Sequence, residues 1–173
     1  RRCGSWFWSR RLFGAKICTL VGHTADVVLT LLTDRDPSVR AQAIEWALHR
    51  PEPAVVDALL RMLGDHDGRC RFAAQDTLVK LGHAAVAPLI AYLSTADRAG
   101  TLGALDVALT MADTRLLAPA RVLAGSLDAA VRARAVALLG ALGSAEGVAL
   151  VEAALADADP RVRHAALKAL GAL

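Results

Sequence analysis

Asp36-Pro37-Ser38-Val39-Arg40 and Asp159-Pro160-Arg161-Val162-Arg163 are near-copies of one pentapeptide, and between them stand Asp67-Gly68-Arg69-Cys70-Arg71 and Asp128-Ala129-Ala130-Val131-Arg132. These Asp residues are spaced by 31, 61 and 31 positions, and a degenerate copy, Asp97-Arg98-Ala99-Gly100-Thr101, splits the long interval into 30 and 31. Self-similarity at a fixed period of this length marks an array of one supersecondary unit, each copy burying its apolar face against the next.

Each Asp suits the position just ahead of a helix, where its carboxylate can accept unpaired backbone N–H groups of the first turn. Pro37 and Pro160 follow at the first helical position, which needs no N–H donor. Small or apolar residues then recur three, seven and eleven positions after each Asp, as in Val39, Ala43 and Ala47 or Val162, Ala166 and Leu170. That spacing makes one stripe along a helix. The seventh position is alanine in every copy (Ala43, Ala74, Ala104, Ala135, Ala166), which predicts a crossing too close for a larger side chain.

A second amphipathic segment precedes each Asp, marked four residues upstream by Leu32, Leu63, Leu93, Ala124 and Leu155 and eight upstream by Val28, Leu59, Leu89, Ala120 and Val151. Gly82, Gly143 and Pro51-Glu52-Pro53 punctuate successive hairpins. The predicted helices are 24–33, 36–50, 53–64, 68–81, 84–94, 97–111, 114–125, 128–142, 145–156 and 159–173. The fold class is therefore all-α, an α-solenoid of helical hairpins over 1–173. Its repeats are 1–22 (a half repeat), 23–50, 51–82, 83–112, 113–143 and 144–173. In the half repeat Arg11 occupies the motif arginine position and Gly14 the alanine position. The chain begins with Arg, and its last repeat ends on an apolar face where a terminal repeat would carry a polar one. Further repeats or domains of a longer parent chain are expected.

Composition agrees with this reading. Of 173 residues, 55% are hydrophobic but only 4% aromatic, which favours small-residue helix packing over β architectures. Mean hydropathy is +0.40, yet a spanning helix needs about 20 consecutive apolar residues. The stretch Gly82–Ala96, free of Asp, Glu, Lys and Arg, is shorter and contains His83 and Pro88. The N-terminal run Arg1-Arg2-Cys3-Gly4-Ser5-Trp6-Phe7-Trp8 lacks the apolar core of roughly 7–15 residues that a signal peptide carries. Cys3, Cys18 and Cys70 are odd in number and form no CxxC pair, which argues against a disulfide framework and for a reducing, cytoplasmic setting.

The motif Asp-Pro-x-Val-Arg, followed by a small-residue helix and a Leu-Gly turn, resembles the HEAT repeat, in particular the bacterial subtype named after the phycobilisome lyases. The resemblance covers nearly the whole chain. It implies a repeat array, but such arrays host scaffolds, bilin lyases, a metal-dependent hydroxylase and DNA glycosylases, so function has to be argued from sites. The resemblance also implies that the motif Arg and Asp form a structural ladder, here Asp36/Arg40, Asp67/Arg71, Asp128/Arg132 and Asp159/Arg163. The alternative for these arginines is an anion site. Thr101 breaks the series, so the repeat 83–112 is expected to be its softest joint.

No catalytic residues, metal ligands or cofactors are expected. HEAT-fold deoxyhypusine hydroxylases hold a di-iron centre through repeated His-Glu dipeptides, and none of His23, His49, His66, His83 and His164 precedes a Glu. Asp65-His66-Asp67 falls in a turn, without the further convergent ligands that a metal site needs. Cys18 and Cys70 sit on the helix stripe as core residues. No Gly-rich phosphate loop is present, and the aromatic cluster Trp6, Phe7, Trp8 and Phe13 reads as packing or a domain interface.

By the same resemblance the second helix of each hairpin lines a concave face. Nine residues after the Asp, that face carries Glu45, Asp76 and Asp106, and beyond them Arg134 and Lys168. A row of acids opposes nucleic acid, which is bound chiefly by continuous basic surface. The pI of about 9.1 draws on ladder arginines that would be internally paired. A mixed-sign face suits an extended segment or helix of another protein; the alternative is that its charges merely keep the helices wet. The reading is thus a non-catalytic interaction scaffold or regulatory module, with a bilin-lyase-like or other HEAT-fold enzyme subunit as the competing class.

Overall fold

The computed structural model describes residues 25–49 and 51–172, and among them the only regular elements are helical. We label ten α-helices in chain order: α1 (Ala25–Leu32), α2 (Pro37–Ala47), α3 (Pro53–Arg61), α4 (Gly68–Leu81), α5 (His83–Leu93), α6 (Arg98–Met111), α7 (Leu117–Ala124), α8 (Ala129–Leu142), α9 (Ala145–Ala153) and α10 (Pro160–Leu170). Short 3-10 turns extend α3 over Met62–Gly64 and α9 over Ala154–Ala156, and another, Thr114–Leu116, leads into α7. Each predicted helix of the described region is present, with ends that tighten into 3-10 turns where 53–64 and 145–156 were expected to be uniform. The expected half repeat 1–22, with Arg11, Gly14, Cys3, Cys18 and Trp6, Phe7, Trp8 and Phe13, lies outside the described residues, as does His23.

The five motif aspartates are the N-caps. Asp36 accepts from the Ser38 amide at 2.9 Å, Asp67 from Arg69 at 2.8 Å, Asp97 from Gly100 at 2.8 Å, Asp128 from Ala130 at 2.7 Å and Asp159 from Arg161 at 2.9 Å. Pro37, Pro53 and Pro160 begin their helices. The chain leaves α4 through Gly82 and α8 through Gly143, both at positive φ. After α6 the same left-handed step is taken by Ala112, at φ 46°.

The chain forms two compact units, Arg1–Ala84 and Ala85–Leu173. In the first, α1 packs on α2 and α3, and α2 packs on α4. In the second, α8 packs on α6, α7, α9 and α10. Second helices therefore stack on second helices inside each unit. All five stripe alanines, Ala43, Ala74, Ala104, Ala135 and Ala166, are fully buried. The thiol of Cys70 on α4, also fully buried, donates to the Pro37 carbonyl of α2 at 3.3 Å. Burial pushes that thiol's pKa up.

Two glycines record close approaches. A Cβ at Gly140 of α8 would lie 2.5 Å from the Cβ of Ala169 and 3.3 Å from its Cα, so the α8–α10 crossing requires hydrogen there. A Cβ at Gly100 would lie 2.2 Å from the hydroxyl oxygen of Tyr92. Gly100 is thus not mere degeneracy of the motif: it makes room for a tyrosine. Among the described residues no helix is long and apolar enough to cross a membrane.

Candidate protein-binding face

The motif arginines are engaged in a way that spacing within one repeat did not reveal. Each sends Nη1 back to the carbonyl six residues earlier: Arg40 to Asp34 at 2.8 Å, Arg71 to Asp65 at 2.7 Å, Arg132 to Ser126 at 2.9 Å and Arg163 to Asp157 at 2.8 Å. Arg40 and Arg132 then make a second, bidentate contact that leaves the repeat. Arg40 donates Nε and Nη2 to Asp65, both at 2.8 Å, and Arg132 donates Nε and Nη2 to Asp157 at 2.9 and 2.8 Å.

The ladder pairing of Asp36 with Arg40 and Asp128 with Arg132 is therefore corrected. The motif Asp is occupied in capping its own helix, and the carboxylate that meets the guanidinium stands two residues before the next motif Asp. Asp65 and Asp157 each also accept the amide of the following motif Asp at 2.8 Å. A turn carboxylate, a cap and a guanidinium thereby form one clamp between consecutive hairpins. The Asp-x-Asp pattern at Asp34/Asp36, Asp65/Asp67 and Asp157/Asp159 was visible in the sequence and is the signal that points to these partners.

Electrostatics follow this geometry. Burial pushes the Asp65 carboxyl up, but the hydrogen bonds from Arg40 and the Asp67 amide outweigh it and hold the group below the usual carboxylate range. Arg132 and the Asp159 amide lower Asp157 in the same way. Asp159, bonded by the Arg161 side chain and amide, is pulled down to about 2. At the position of the clamp arginine, Thr101 bonds the Asp97 carbonyl at 2.8 Å.

Of the five expected contacts, Glu45 and Asp76 belong to the first unit and Asp106, Arg134 and Lys168 to the second. Glu45 is exposed and accepts from Gln42 at 2.7 Å. Asp76 pairs with Lys80 at 2.6 Å. Arg134 of α8 reaches Asp106 of α6 at 2.7 Å, so two of the expected contacts meet each other. Lys168, exposed on α10, makes no ion pair or side-chain hydrogen bond with any described residue.

Lys168 instead lines an open recess of about 530 Å³ bounded by the C-terminal halves of the second helices α6, α8 and α10. Its walls include Leu109, Ala137, Gly140, Ala141 and Ala165. Sequence reasoning placed Lys168 on this helix but missed the recess, because its lining comes from three helices far apart in sequence. Among the described residues no group of three or more His, Cys, Asp or Glu side chains is positioned to hold a metal ion.

The family model described as HEAT repeats matches residues 25–109 and 118–173. An uncharacterized phycocyanin operon protein Z of Pseudanabaena tenuis (strain PCC 7409) is 29% identical over 136 residues, covering 79% of this chain and 56% of that protein. The complex of CpcE and CpcF of phycocyanin lyase from Nostoc sp. PCC7120 matches at 25% identity and TM-score 0.58, over 86% of this chain and 64% of that one. The chain thus spans less than two thirds of both relatives. A designed armadillo repeat protein in complex with the peptide (KR)4 matches at 18% identity and TM-score 0.52, over 91% of this chain and 84% of that one. That last likeness is one of fold.

Proposed function

The chain belongs to the HEAT-repeat family, and from that premise we propose that it is a non-catalytic interaction module of the cytoplasm. It holds a partner protein through second-helix surface, with Glu45 and Asp76 of the first unit and Asp106, Arg134 and Lys168 of the second as contacts. The observation that carries this reading is the open recess shared by α6, α8 and α10. Three successive hairpins leave a stretch of second-helix surface unfilled, whereas the motif arginines Arg132 and Arg163 are used in a clamp and a turn. A repeat fold of this kind suits protein binding because each hairpin adds the same strip of surface. Mixed charge on that surface favours a protein over nucleic acid.

Affinity capture from a bacterial lysate tests the reading, comparing this chain with a Glu45→Lys, Asp76→Lys, Asp106→Lys variant of equal helicity by circular dichroism. A protein retained by the parent and lost by the variant supports it; identical capture by both overturns it. A second reading, a subunit that acts on bilin chromophores, is favoured by the likeness to the CpcE–CpcF complex. A change in bilin absorbance on mixing with this chain, absent with the variant, would move the assignment to that class.

A further inference from the structure

The recess between α6, α8 and α10 has an unusual chemistry for a surface feature. Its lining is built from alanine, glycine and leucine, and the two side chains with polar ends are His164 and Lys168, both on α10. Among the described residues that line it there is no carboxylate. The other charges expected to make contacts on the second helices already have neighbours: Glu45 takes a hydrogen bond from Gln42, Asp76 is paired with Lys80, and Asp106 with Arg134. Lys168 lacks such a partner among the described residues. Among the described residues, then, Lys168 stands at the edge of a small-residue floor without a carboxylate partner.

The volume, about 530 Å³, lies within the range of sites that bury ligands, about 300–1,000 Å³. Gly140, one of its lining residues, cannot carry a Cβ without a collision with Ala169. The surrounding helix C-termini decide what kind of acid fits. Their carbonyl ends carry partial negative charge, which weakens the site for a bare anion. A carboxylate delivered on an apolar segment differs: burial of aliphatic side chains on the alanine floor supplies the attraction, and Lys168 fixes the register.

Resting on the reading above, we propose that this recess takes an acidic amphipathic helix of a partner protein. One carboxylate of that helix seats on Lys168, and its aliphatic side chains lie against Ala137, Ala141 and Ala165. Small residues on one helix face allow another helix to approach closely, and anchors at helical spacing would read as a helix laid in a groove.

The test uses the full chain and a fluorescein-labelled peptide helix of Glu, Leu and Ala, followed by fluorescence anisotropy. Lys168→Glu reverses the cation, and Ala141→Trp fills the recess from an exposed position, with helicity checked by circular dichroism. The expected result is binding of the peptide, with Kd raised on the order of tenfold or more by each variant. No binding, equal binding of a Lys-Leu-Ala counterpart, or an unchanged Kd in both variants overturns the proposal. If a partner captured from lysate is lost with the Glu45, Asp76, Asp106 variant but kept by Lys168→Glu and Ala141→Trp, the recess proposal falls while the general interaction reading stands.

Discussion

Two junctions inside the second unit join the same kinds of helices by different chemistry. Between α8 and α10, Arg132 grips Asp157 with two parallel hydrogen bonds, and Gly140 lets the helices meet at Ala169. Between α6 and α8, the corresponding positions are Thr101 and Ser126. The tie there consists of Arg134–Asp106, with both side chains about 40% exposed, and an exposed pair from Arg98 to Asp128. The first unit repeats the clamped version, where Arg40 and Asp65 are 14% and 7% exposed. A period of about 31 residues thus specifies the hairpin but not how one hairpin is fastened to the next. Exposed pairs contribute little and are screened by salt, whereas a bidentate pair shielded from water also fixes geometry.

The largest effect should come from the clamped junction's close approach. Gly140→Val forces a branched side chain against Ala169 and should cost about 3 kcal/mol, in the range of core overpacking, seen as a lower urea midpoint. An unchanged midpoint would mean that α8 and α10 are not tightly seated.

A smaller effect is expected when the clamp is grafted onto the other junction. Thr101→Arg together with Ser126→Asp should be more stable than the sum of the two single changes, by about 1 kcal/mol in a double-mutant cycle. No coupling would show that the missing clamp is not what distinguishes the two junctions.

The smallest effect lies in the acid limb. Asp65, Asp157 and Asp159 are held below their unfolded values, Asp159 at about 2, while an unfolded Asp titrates near ~3.9. The unfolded chain therefore binds more protons between these values. The stabilisation is fully present above about pH 4 and is lost as pH falls through each folded value, about 2 for Asp159. Asp157→Asn should flatten that decline in a urea series between pH 5 and 2; an unaltered slope would mean that the α8–α10 clamp does not contribute to it.

Much of this architecture was legible in the sequence because it is local. Asp at the cap, proline after it and alanine seven residues on act within one or two helical turns, and the helices appear where those residues place them. The clamp was not legible from one repeat, since Arg40 and Asp65 are 25 residues apart and meet only once two hairpins are stacked. Within the candidate face, helical spacing placed Glu45, Asp76, Asp106, Arg134 and Lys168 on second helices, and all five are exposed or partly so. It said nothing of which charges would neutralise each other, nor of a recess that exists only where α6, α8 and α10 come together. Gly100 reads in the sequence as an eroded motif residue, and the Tyr92 side chain against it supplies the reason for a glycine there.

The burial of Cys70 between α2 and α4 gives the first unit an internal clock. Its sulfur is sealed by the Pro37 carbonyl and closed off from solvent, so an alkylating reagent reaches it only in molecules whose two second helices have parted. The labelling rate at that one site therefore reports how often these two neighbouring hairpins breathe.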